Sequence, residues 1–545
     1  MRNPVRLRLL AGLLAVPLLI TACGGNSGNS GDKSTTGGKS GGSFSLYIGE
    51  PEHLIPQNTN ESSGSEVLNA LFTGLVTYDQ KTTELQVGDN APDANAQSIE
   101  STDQTNWTIK LKDGWTCHNG EPVDAASYVR AWNAGALSTN AYGNSYFFEN
   151  IVGYDDLQAA EGKTPKAKEM SGLKVVDATT FTVQLKAPFS QFPLTVGYNA
   201  FYPLPKSYEA DPKAYEEQPV GNGPFQMDGA WAHNQSIKVK RFDAYKGNKS
   251  KADSVTFAIY SDINTAYNDL LAGNLDVLDS VPPEQLASAK KEFGDRFIER
   301  PSSSFTYVGF PTYNKAFSDP KLRRAFSMAI DRQPIIDAIF NGSFQPAKSV
   351  VSPVVAGSRP DPCGANCAYD PVAAKKLFDE AGGYSGTLTL WFNSGAGHEK
   401  WMEAVSNQLR QNLGIKNIKF KSLDFAEYLG LLDAKKVTGP FRLGWVMDYP
   451  SPQNYLEPIY GSTGSSNNFG YSNPKVDDLI KQGNAAADVD AGIALYNQAE
   501  DLILQDMPVI PMWFGKVQGA HSDKVDNVSI SAFTNINTSE ITVKQ

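Results

Sequence analysis

The sequence predicts an α/β protein organised in two or three domains, and three observations carry that prediction. A chain of 545 residues exceeds what one hydrophobic core usually supports. Short alternating runs that read as half-buried strands are interleaved with stretches of helical periodicity. The two do not alternate strictly, and no internal repeat of roughly 20–50 residues is visible, so lobes fit better than a single barrel.

The N-terminus is set apart from that body. Residues 1–23, MRNPVRLRLLAGLLAVPLLITAC, place basic residues before an apolar run from Leu9 to Ile20. This is a secretory signal pattern, too short to span a bilayer. Residues 24–43, GGNSGNSGDKSTTGGKSGGS, contain no apolar side chain. Nothing there can be buried to offset ordering, so a flexible leash with a reach of about 25 Å is expected. Gly38-Lys39-Ser40 ends like a phosphate-binding loop, but Lys33 stands where that motif needs glycine, which rejects it.

In the body, Trp107–Leu111 and Phe181–Leu185 alternate as strands with one buried face. Residues 223–242 read as a hairpin turning at His233-Asn234-Gln235. Asp319-Pro320 opens a helix as N-cap and first-turn proline, with Leu322, Phe326 and Ile330 on one face. Asp370-Pro371 opens another that Gly382-Gly383 can end. A third is expected from His398 to Leu413, with Trp401, Val405, Leu409 and Leu413 at i+4 spacing and Gly414 as terminator.

The chain has 59 acidic and 48 basic residues, and Arg2, Arg6 and Arg8 lie in the signal segment. An acidic body repels phosphate backbones, so no nucleic-acid partner is expected. The five histidines (53, 118, 233, 398 and 521) form no ligand-spaced pair, so no metal and no cofactor is expected. Cys363 and Cys367 flank Gly-Ala-Asn, a turn-forming set; in an oxidising compartment a local disulfide is favoured over free thiols. Cys117 reads as a buried small residue.

One stretch, GWVMDYPSPQNYL (444–456), sets Asp448 among aromatics and prolines. A buried acid needs a cation or several hydrogen bonds, so Asp448 either has an internal partner or meets a cation from outside. Continued as a strand, residues 441–448 would place Arg442, Gly444, Val446 and Asp448 on one face and Phe441, Leu443, Trp445 and Met447 on the other. Arg442 and Asp448 would then stand about 20 Å apart, too far to pair with each other but suited to the two ends of a zwitterion. A plain ion pair at the strand end is the other reading of Arg442.

Several motifs together resemble a known family. DGWTCHNGEPVDAASYVRAW (113–132), NGPFQM (222–227), DPKLRRAFSMAIDRQPIIDAIFNGSFQPA (319–347), AYDPVAAKKLFDEAG (368–382) and GWVMDYPSPQNYL occur in family order. From Phe44 to Gln545 the chain resembles the extracellular solute-binding proteins of oligopeptide and dipeptide ABC importers, family 5. Cys117 and Asn119 depart from that family's commonest residues. The resemblance implies a periplasmic-binding-protein-like type II clamshell with three lobes. Lobe I would take residues 44–72, 206–303 and 514–545, an inserted subdomain 73–205, and lobe II 304–513, after a signal peptide (1–22) and a lipid-anchored linker (23–43).

The resemblance also implies roles. Asp448 would pair with a peptide α-ammonium. Arg442 and His398 would lie near the ligand carboxylate, His398 at a helix start where the dipole favours an anion; for His398 a polar residue facing water is the other reading. Trp445, Tyr449, Trp513 and Phe514 would line side-chain pockets, with core packing as the alternative. LWFNSGAGHEKW (390–401) lacks the arginine of the dipeptide branch, so ligands of several residues are expected.

Ile20-Thr21-Ala22-Cys23 resembles a bacterial lipobox, which implies a lipid anchor (diacylglyceryl with palmitate-type chains) on Cys23 and an extracytoplasmic location on the cell membrane. The expected partners are peptide ligand, the membrane and importer permease subunits, with the protein a monomer. An oligosaccharide in the same fold is the alternative cargo. A secreted hydrolase is the rival of another class. The body has no Gly-x-Ser-x-Gly (Gly38–Gly42 fits the pattern only inside the apolar-free leash), no His-Glu-x-x-His occurs, and Ser171-Gly-Leu-Lys174 lacks a Lys-Thr-Gly partner, so no catalysis is expected.

Overall fold

Two thirteen-residue strands, Phe297–Gly309 and Val509–His521, run antiparallel through the middle of the protein and organise the rest. The computed structural model describes residues 41–160, 162–394, 397–423 and 425–544. The expected signal sequence, Cys23 and all but the last residues of the leash lie outside them.

The two long strands are the centre of an eleven-stranded mixed sheet. On one side of Phe297–Gly309 follow Phe441–Trp445, Leu388–Asn393 and Ile418–Leu423; beyond Val509–His521 follow Val277–Leu278, Ser43–Ile48, Ser254–Ile259, Ser236–Arg241 and Phe225–Met227. A separate four-stranded antiparallel sheet is built from residues 96–184.

The central strands tie together distinct cores. Their 297 and 517–520 ends pack with residues of the N-terminal body, whose core runs from Phe44 and Leu46 into Trp107, Trp132 and Phe181 of the four-stranded sheet. Their 305–308 and 509–514 ends belong to two further clusters built from residues 305–532. Between Pro301 and Phe305 the register of the pair shifts. Ser302, Ser303 and Ser304 sit there opposite Gly515, where a Cβ would fall 1.9 Å from Ser304 Oγ. The ladder is thus interrupted where the strands pass from one set of cores to the other, and shifts again between Thr306 and Tyr307.

Local chemistry explains the elements read from sequence. The Asp319 carboxylate accepts from Lys321 N at 2.8 Å and caps helix Pro320–Met328. That helix stops two residues short of Ile330, which is buried all the same. Asp370 accepts from Val372 N and Ala373 N, capping Pro371–Glu380. Helix His398–Leu413 ends at Gly414 with φ 75°, a left-handed position that suits glycine. Phe225–Met227 and Ser236–Arg241 form the hairpin, with Asn234 at φ 58° in its turn. Cys363 and Cys367 are joined by a disulfide, Cα atoms 5.6 Å apart. Cys117 is buried and free, and burial pushes its thiol up to about 12.

Candidate ligand-binding cleft

A cleft of about 630 Å³ opens where distant parts of the chain converge. Glu61 and Ser65 reach it from the 62–71 helix, Tyr146 and Tyr198 from short 3-10 segments and turns, Trp445 to Asp448 from the end of strand Phe441–Trp445, and Phe533 and Glu540 from the C-terminal segment. No group of three or more His, Cys, Asp or Glu suited to a metal occurs among the described residues.

Asp448 is the focal residue. The strand carrying it ends at Trp445 rather than continuing through Asp448, because its ladder to Phe297–Gly309 ends at Phe305. Residues 446–448 follow as irregular chain, so the expected alternation does not extend to Asp448. Its position is set instead by Asn454, in the first turn of helix Pro452–Tyr460, whose N-cap Ser451 accepts from Gln453 N. Asn454 Oδ1 accepts from Asp448 N at 2.9 Å and from Trp445 Nε1 at 3.2 Å, while Asn454 Nδ2 donates to Asp448 Oδ2 at 2.9 Å.

A neutral amide is therefore the hydrogen-bonding partner of the Asp448 side chain, and no cation faces it among the described residues. Burial pushes the carboxyl up to about 6, with the Asn454 bond opposing. The hydroxyls of Tyr146 and Tyr198 are moved up as well, first by burial and then by the Asp448 charge, which places both rings within electrostatic reach of the carboxylate. The internal ion pair that the sequence left open for Asp448 is not formed among the described residues.

Arg442 occupies a second unpaired position. Its guanidinium is buried beneath the wall of the cleft: Gly444 lines the cleft, and a Cβ on Gly444 would lie 3.7 Å from Arg442 Nη2. Nη1 donates to Asn393 Oδ1 at 3.3 Å, and Nε has no partner among the described residues. No carboxylate pairs with it there, so the strand-end ion pair is also absent. Burial lowers its pKa, opposed by Tyr428 and Tyr307.

His398 opens helix His398–Leu413. Burial, and then the Arg442 charge, hold its pKa down to about 4. The ring is therefore neutral at pH 7. Nδ1 accepts from Trp401 Nε1 at 3.1 Å, which puts the remaining proton on Nε2; that atom is buried without a partner among the described residues. The unpartnered His398 Nε2–H and the Arg442 guanidinium, which has no carboxylate partner among the described residues, thus stand close enough to influence each other.

Of the four aromatics expected from the sequence, Trp445 lines the cleft and Tyr449, Trp513 and Phe514 are not among its described lining residues. Tyr449 is buried and its hydroxyl donates to Gln453 Oε1. Trp513 packs in a core with Trp401, Phe340 and Phe344, ring centroids 5.0–5.8 Å away. Phe514 packs on Phe305 at 5.4 Å. Their strand is buried on both faces over residues 509–515, so core packing takes these residues from the cleft. Sequence reasoning did not single out Asn454, Tyr146 or Tyr198. Asn454 lay within the quoted 444–456 stretch, an asparagine in a helix's first turn; Tyr146 and Tyr198 carried no local signal.

Comparison with known proteins identifies the family and the fold. Residues 93–467 match the model for bacterial extracellular solute-binding proteins, family 5. The oligopeptide-binding protein OppA of Bacillus subtilis is 26% identical over 522 residues, spanning 92% of this chain and 93% of that protein. The murein peptide-binding protein MppA of Escherichia coli is 27% identical over 85% of this chain and 86% of its own length. The unliganded open form of MppA superposes with a TM-score of 0.78 at 24% identity, covering 93% of this chain and 98% of that one. AppA of Bacillus subtilis, solved with a nonapeptide, gives 0.72 at 20% identity over 93% and 100%. These likenesses fix the fold.

Proposed function

Because the chain belongs to family 5 of the bacterial extracellular solute-binding proteins and has their type II clamshell fold, we propose that it captures extracellular peptides for an ABC importer. The observation that carries this reading is Asp448, a cleft carboxylate whose partner is an amide and not a cation. A peptide α-ammonium is cationic at neutral pH and supplies the missing charge through a charge-assisted bond. Arg442 and the His398 Nε2–H supply unpaired donors for the peptide carboxylate. Main-chain hydrogen bonds that ignore ligand sequence hold the intervening residues. Relatives named for oligopeptides and for murein peptides support this class of cargo.

An oligosaccharide would find aromatic faces in Trp445, Tyr146 and Tyr198, but no sugar hydroxyl would neutralise Asp448. On this reading the Cys23 lipid holds the protein at the outer face of the membrane, the leash lets it search, and closure presents cargo to the permease. Native mass spectrometry of protein purified with its cargo tests the proposal. Peptide masses that vanish in Asp448→Ala are expected; retention of the same non-peptide ligand by both proteins would refute it.

A further inference from the structure

The cleft is charged with one sign. Its lining includes the carboxylates of Glu61, Asp79, Asp93, Asp448 and Glu540 and, among the described residues, no Lys, Arg or His. Neutral groups hold most of these acids. Glu61 accepts from Ser63 N and Gly64 N at 2.6 and 2.7 Å. Asp79 accepts from Lys81 N and Thr82 N at 2.8 Å each. Asp93 accepts from Asn248 N, Asn248 Nδ2 and Tyr245 Oη. Such bonds fix a carboxylate in place and leave its charge standing. Lys81 and Arg300 act on Asp79, and Lys112 on Asp93, without forming an ion pair.

Two further features bear on what such a cleft accepts. Aromatic side chains, Tyr78, Tyr146, Tyr198, Tyr202, Trp445 and Phe533 among them, form much of the wall. Low-dielectric walls focus the field of the carboxylates, and aromatic faces attract cations. Arg442 lies buried behind Gly444, and the peptide's own terminal carboxylate is enough to occupy it. An acidic side chain would therefore enter a field of its own sign with no cationic side chain among the described lining residues to meet it.

Resting on the peptide reading above, we infer that the cleft selects peptides with lysine or arginine side chains and discriminates against acidic ones. Titration calorimetry on tri- and pentaalanine carrying one central Lys or Glu tests this. Affinity is expected to fall in the order Lys, Ala, Glu, roughly tenfold per step, and the steps should narrow when salt is raised to about 0.5 M. Asp79→Asn combined with Glu540→Gln should lower the Lys-to-Glu affinity ratio severalfold. Equal binding of the Lys and Glu peptides, or a ratio unmoved by salt and by the double substitution, overturns the selectivity and leaves peptide capture standing. Failure of every peptide, polyalanine included, overturns peptide capture and the selectivity with it.

Discussion

Asp448→Asn is isosteric, so it removes the charge of the cleft carboxylate and little else. Burial moves the carboxyl from its ordinary 3.8 to about 6, which corresponds to about 3 kcal/mol of unfavourable burial of the ionised form. The sign follows from linkage: a raised folded-state pKa gives stability that is complete below 3.8 and lost as pH rises through about 6. The apo wild type should therefore lose about 3 kcal/mol relative to Asp448→Asn as pH rises from about 4 to about 7, read as the difference between two urea titrations. Taking the difference cancels the other buried acids, such as Glu66, pushed up to about 8, and Asp279, to about 6.

Peptide binding has the opposite slope, since the ammonium pairs with the ionised form. Wild-type affinity should rise roughly tenfold per pH unit below about 6 and flatten above it, until the α-ammonium begins to deprotonate near pH 8. In Asp448→Asn, affinity at neutral pH should be roughly a hundredfold weaker and the pH dependence should vanish. An Asn variant as tight as wild type, or a wild-type affinity flat between pH 4.5 and 7, would refute the reasoning.

Other outcomes follow from the same geometry. Asn454→Ala removes the bond that lowers the Asp448 pKa, so the midpoint of the affinity–pH curve should move up and neutral-pH affinity should fall; an unmoved midpoint counts against Asn454 as the positioning residue. Arg442→Gln deletes a buried cation without a carboxylate partner, so thermal unfolding should show a more stable apo protein that binds peptide at least tenfold more weakly. Gly515→Ala puts a Cβ 1.9 Å from Ser304 Oγ at the crossing of the central strands and should cost about 1–3 kcal/mol in denaturant titration. Cys363→Ser with Cys367→Ser opens a five-residue loop and should cost about 2 kcal/mol on the loop-entropy model, an effect that reductant should reproduce in the wild type.

What the sequence made legible is what local chemistry decides. Asp319-Pro320, Asp370-Pro371 and Gly414 mark helix ends through backbone hydrogen bonds and φ preferences, and the helices start or stop at them. Asp448 stood out as an acid without a neighbour that would explain it. What stayed illegible depends on packing between distant segments. Alternation cannot say which face of 509–515 meets the cleft when both are buried, so Trp513 and Phe514 fall to the core. The end of strand Phe441–Trp445 depends on where its neighbour's pairing gives out. Tyr146 and Tyr198 reach Asp448 from about 250–300 positions away, and no pattern near them announces it.

The central claim is that a cleft acid left without an internal cation receives the peptide's amino terminus. Titration calorimetry of one tripeptide against its N-acetylated form, at the same length and sequence, tests it most directly. Loss of the ammonium should weaken binding roughly a hundredfold in the wild type and leave Asp448→Asn nearly indifferent to acetylation. Equal affinity of the two peptides for the wild-type protein would contradict the account.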